Sequence, residues 1–104
     1  MITALVQLRL PEPVTRGKAR DMFSGTAPNY TTVRGLIRKY YLLSDDCQTA
    51  GGVYLWASRQ DAELFYTDNW KKFIVEKYGN QPTITFFDTP VIVDNDAGQI
   101  MKDV

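Results

Sequence analysis

The sequence predicts an α+β domain with elements in the order β-α-β-β-α-β, and three observations carry that prediction. Ile2 to Leu10 alternates: Ile2, Ala4, Val6, Leu8 and Leu10 fall on one side, Thr3, Gln7 and Arg9 on the other with Leu5, the pattern of a half-buried strand. Two neighbouring segments, Gly35–Leu43 and Ala50–Ala57, are rich in β-branched and aromatic residues, and the polar run Ser44–Thr49 between them is a hairpin loop. Two further stretches, one on each side of this hairpin, repeat apolar residues at three- and four-residue steps, the period of an amphipathic helix. The 104 residues suit one domain over 1–104, with 94–104 as a tail or a dimer arm.

Each element has its own start and stop. Pro11-Glu12-Pro13 ends the first strand. Thr15 caps the first helix, whose stripe is Ala19, Met22 and Phe23; Ser24-Gly25 weakens it and Pro28 breaks or restarts it before Tyr30 and Val33. Gly51-Gly52 at the start of the third strand reads as a bulge or an interface contact, because no Cβ stands in the way of a close approach. Ser58-Arg59-Gln60-Asp61 resembles a capping box and opens a helix carrying Ala62, Phe65, Tyr66, Trp70, Phe73 and Ile74, with Asp68-Asn69 as the place where it kinks or splits. Gly79-Asn80 stops that helix and Pro82 leads out of it. Thr83–Phe87 is the fourth strand; Pro90 interrupts it, Val91-Ile92-Val93 extends it or forms an edge segment, and Asp94–Gly98 is a turn. This order is the ferredoxin-like split βαβ arrangement, a four-stranded antiparallel sheet with both helices on one face. Strands two and three carry apolar groups on both sides, so a second copy packed sheet against sheet, a homodimer, is expected to cover the open face.

Composition removes several function classes. Lys and Arg equal Asp and Glu at 12 each, which calls for neither nucleic acid nor an anionic membrane surface. No apolar run approaches the ~20 residues of a membrane span. Met1–Val6 lacks the basic start and cleavage site of a signal peptide, and the single Cys47 forms no internal disulfide, so a reducing cytoplasm is expected. With no histidine and one cysteine, the usual zinc and haem ligands are missing, and neither metal nor other cofactor is expected.

The candidate site is aromatic. If even-numbered positions of both central strands face the helices, then Arg38, Tyr40, Tyr54, Trp56, Tyr66, Trp70 and Phe73 surround one apolar, substrate-binding cavity with a single cation. A flat phenolic ligand would suit it, stacked on rings and held by an anion-stabilising contact. If the sheet lies the other way, these strand residues line the dimer interface, and Lys39 and Tyr41 face the helices. Alternation along a strand does not say which face is which. The first arrangement is favoured because Arg38 in a sheet-to-sheet interface needs a carboxylate that neighbouring strand positions do not offer. Ordinary core packing explains the same aromatic periodicity equally simply. Asp88 and Asp94 end strands, where turns favour aspartate over a general-base role, and Cys47 has no activating neighbour in its polar loop.

Gly35 with Lys39 four residues later, then Ala50-Gly51-Gly52-Val53-Tyr54-Leu55, then Ala62 in the next helix, resemble the YdhR-like monooxygenases of the dimeric α/β-barrel superfamily. The similarity runs over Gly35 to Tyr66; outside it, topology and length match. The resemblance implies a homodimer and a cofactor-independent monooxygenase that oxidises a small electron-rich aromatic with dioxygen. That superfamily also hosts haem-degrading enzymes, lactone isomerases, dehydratases and stress-induced proteins, so a non-catalytic small-molecule-binding or stress-associated dimer and an isomerase or lyase are the alternatives, and the fold alone does not choose among them. For an isomerase or lyase, the absence of histidine leaves the acid–base step without an obvious agent.

Overall fold

The computed structural model describes residues 1–103. Its elements are β1 (Ile2–Arg9), α1 (Arg16–Thr26), a 3-10 turn (Ala27–Tyr30), β2 (Leu36–Leu43), β3 (Thr49–Trp56), α2 (Arg59–Phe65), α3 (Asp68–Tyr78), β4 (Thr83–Asp88), β5 (Val91–Asp94) and β6 (Gln99–Lys102). The main sheet is antiparallel in the order β2-β3-β1-β4, which is the ferredoxin-like arrangement.

Local chemistry sets the boundaries. Thr15, Ser58 and Thr67 each accept a hydrogen bond from a backbone N–H in the first turn of the helix they precede, at Lys18, Asp61 and Trp70. The second helical stretch therefore breaks at Tyr66-Thr67, just ahead of the Asp68-Asn69 pair expected to interrupt it, because Thr67 supplies the cap that starts α3. Gly79 ends α3 in the left-handed conformation, φ 92°.

All three helices lie on one face of the sheet. Ile2, Ala4 and Val6 of β1, Tyr54 and Trp56 of β3, Ala62 and Tyr66 form one buried cluster. Leu8, Leu10, Ala50, Ile74 and Tyr78 form a second, and Trp70 packs against both. Trp56 is fully buried and its indole N–H donates to the Tyr66 hydroxyl at 3.1 Å.

Two expectations are corrected here. Gly51-Gly52 is not a bulge: pairing with β1 and β2 runs through both glycines without a shift, and the irregularity lies in β2 between Leu36 and Arg38. Val6 explains the glycine instead, since a Cβ on Gly51 would overlap its carbonyl. Val91–Val93 does not extend β4; β5 and β6 pair with each other as a separate two-stranded hairpin, with the Asp94 carboxylate accepting from Ala97 N–H in the turn. No helix of the described residues is long and apolar enough to cross a membrane.

Candidate functional site

Register decides what the helix-facing side of the sheet carries. After its bulge, β2 pairs Lys39 with Tyr54, Tyr41 with Gly52 and Leu43 with Ala50. Directly opposed residues share a face. The odd-numbered residues of β2 therefore join the even-numbered residues of β3 beneath the helices. Arg38 and Tyr40 lie on the other side, opposite Leu55 and Val53, where Tyr40 is 53 % exposed. The expected set is thus divided: Tyr54, Trp56, Tyr66 and Trp70 share the helix side, while Arg38 and Tyr40 face away from it. Phe73 stands at the surface, where it lines a shallow depression with Asn29, Tyr30, Phe65 and Trp70. The cation in the interior is Lys39, not Arg38.

Lys39 sits in a cage of tyrosines. Its Nζ lies 3.4 Å from the ring centroid of Tyr30, 3.7 Å from that of Tyr41 and 4.6 Å from that of Tyr54. A ring face attracts a cation through its quadrupole. Among the described residues no carboxylate pairs with Lys39. Burial without a counter-charge lowers its pKa from 10.5 to about 7. Gly52 makes room for the stem: a Cβ there would stand 3.3 Å from Lys39 Cε and 3.1 Å from the Tyr54 ring.

Burial acts in the opposite sense on the neighbouring phenols of Tyr41 and Tyr54, favouring their neutral form. Burial pushes Tyr41 up to about 12, and raises Tyr54, Tyr66 and Tyr78 as well. Their hydroxyls are anchored: Tyr41 shares a hydrogen bond with Thr26 at 2.8 Å, and the Tyr30 hydroxyl accepts from the Trp70 indole at 3.3 Å. Phe23 stacks on Tyr41 with centroids 4.8 Å apart. The space left among these side chains is about 20 Å3, room for one water molecule.

The site therefore offers one amine that exchanges a proton near neutral pH, anchored phenols and aromatic walls. Trp56 and Tyr66 back this wall. Tyr30 is not among the residues expected at the site, although an aromatic residue after a Pro-restarted turn is its visible signal. Among the described residues no group of three or more His, Cys, Asp or Glu side chains could hold a metal ion.

Neither a protein-family model nor a curated protein sequence matches the chain. Solved structures do. The monooxygenase ActVA-Orf6 of Streptomyces coelicolor, solved in complex with nanaomycin D, aligns with a TM-score of 0.67 at 19 % identity over 88 % of this chain and 89 % of that one. A protein from Deinococcus radiodurans assigned to the antibiotic biosynthesis monooxygenases aligns at 0.66, with 10 % identity over 90 % and 97 %. SnoaB, a cofactor-independent oxygenase from Streptomyces nogalater, aligns at 0.62, with 11 % identity over 85 % and 91 %. At these identities the likeness establishes a shared fold, that of the antibiotic biosynthesis monooxygenases.

Proposed function

We propose that the chain is a cofactor-independent monooxygenase acting on a small, electron-rich phenolic aromatic, with Lys39 as its base. The observation that carries this reading is the Lys39 amine, enclosed by three tyrosine rings without an acidic partner, on a scaffold shared with oxygenases. The neutral amine takes the proton of the substrate hydroxyl, and the ammonium so formed holds the phenolate. The electron-rich ring system then reduces dioxygen. A ring C–H ortho or para to the phenolate carbon becomes a carbonyl while the phenolate oxygen becomes the second: one atom of dioxygen is kept, and the other leaves as water with the ring hydrogen and the proton that Lys39 took up. The substrate supplies all four electrons, so no external reductant is needed. Tyr54 and Trp70 form walls of the site, and the aromatic lining keeps water from the reactive anion.

The motif Gly35, Lys39 and Ala50–Leu55 supports the YdhR-like branch in particular. Gly35 turns the chain into β2 with φ 80°, Lys39 supplies the amine, and Gly52 accommodates it. The exposed Tyr40, Leu42 and Phe87 on the open sheet face support a homodimer joined through that face.

Oxygen-electrode assays with hydroxynaphthalenes and related phenols test the reading. Uptake should occur without added metal or flavin. Lys39→Met should reduce it at least about a hundredfold, within the range general-base catalysis contributes. Arg38→Ala, on the opposite face, should leave it within about twofold. Uptake that survives in Lys39→Met, or no uptake with any phenol, overturns the assignment.

A further inference from the structure

The 20 Å3 interior space cannot admit an aromatic ring, so a substrate needs a place outside it. A groove of about 540 Å3 runs between α1 and the β2–β3 loop. Its volume falls in the range of small-molecule sites. It meets the Lys39 cavity at two shared residues, Phe23 and Tyr41. These are the stacked pair, and Tyr41 presents its ring to Lys39 as well. The stack is therefore the partition between the groove and the amine.

The groove is polar in one sense only along its helix side. Arg16 and Arg20 are four residues apart in α1 and both line it. Arg20 has only a 3.4 Å contact with Asp21, with both side chains well exposed, a pairing too weakly held to compete with a ligand. Ala19 and Ala27 leave the helix wall low between them and beyond. Asp45 lines the loop side, and its charge turns an anionic group toward α1.

We propose that this groove binds an aromatic acid, with its carboxylate on Arg16 and Arg20 and its ring against the Phe23–Tyr41 stack. The guanidinium fork suits a carboxylate, and a flat ring suits a stacked wall. Displacement of the Phe23 ring by the substrate ring would carry its hydroxyl toward Lys39; only this delivery step rests on the oxygenase reading.

The test is a fluorescence titration of the full chain under anaerobic conditions, so that no turnover occurs, with 1-hydroxy-2-naphthoate and with 1-naphthol. The acid should bind about tenfold more tightly than the naphthol, as expected for charge-assisted contacts. The double variant Arg16→Gln, Arg20→Gln should remove that advantage and leave naphthol binding unchanged. Equal affinity of the two probes for the native chain, an equal loss of both in the variant, or no binding of either overturns the proposal. Charge discrimination without oxygen uptake in the aerobic assay would retain the groove and reject the oxygenase. Oxygen uptake without charge discrimination would do the reverse.

Discussion

Replacing Lys39 by methionine removes the charge and keeps an unbranched stem of similar length. The expected consequence is a change in how stability depends on pH. The Lys39 amine titrates at about 7 in the folded chain and at 10.5 when free. Between these values the unfolded chain holds a proton that the folded chain has released, so stability rises with pH across that window. Below about pH 7 the amine is charged in both states, and the cost of burying it is fully present. The separation corresponds to at most about 4–5 kcal/mol, at ~1.4 kcal/mol per tenfold change in equilibrium. The tyrosine faces attract the ammonium and offset ~1–2 kcal/mol of that cost. A rise of about 1.5–2.5 kcal/mol from pH ~6 to ~9.5 remains. Tyrosines act with the opposite sign: Tyr41 titrates near 12 folded against 10.0 free, so stability falls again above about pH 10. Urea unfolding followed by tryptophan fluorescence measures both limbs. Subtracting the Lys39→Met curve from the native one isolates the amine from every other titrating group. Parallel curves from about pH 6 to 9.5 would show that Lys39 is not buried as a charge, and the argument for a base would go with it.

Two further substitutions probe the frame around the site. Tyr66→Phe leaves the indole N–H of the fully buried Trp56 without its acceptor, and should lower stability by about 1–3 kcal/mol in urea unfolding; a change under about 0.5 kcal/mol would show that the bond is dispensable. Gly51→Ala drives a Cβ into the Val6 carbonyl within the β1–β3 ladder, and a loss of more than about 3 kcal/mol is expected by thermal unfolding; a variant as stable as the native chain would mean that the strands spread without cost.

The helix caps were legible because each is a local event. Thr15, Ser58 and Gly79 sit where a side-chain oxygen or a left-handed residue satisfies an orphaned helix end, and no distant residue is consulted. The break before α3 was displaced because Asp68 and Asn69 are themselves good cap formers, and Thr67 took the position first. Of the β5–β6 hairpin, the spacing marks Val91–Val93 as a strand segment and Asp94–Gly98 as a turn, but not β6 or the pairing of the two strands. The four residues of β6 carry too little alternation to register as a pattern.

Residue spacing set the order of the main elements, the alternation along each strand and the aromatic content of the strands and helices that meet. These follow from the chemistry of neighbours a few positions away. Which cation enters the helix-facing side depends instead on how β2 pairs with β3. The bulge between Leu36 and Arg38 shifts β2 by one step against β3, and one step exchanges the two faces of a strand. Arg38 is thereby placed outside and Lys39 inside, among tyrosines from three separate parts of the chain. Register between strands is a property of their pairing and of the turns that join them, and the period of two within either strand is the same for both outcomes.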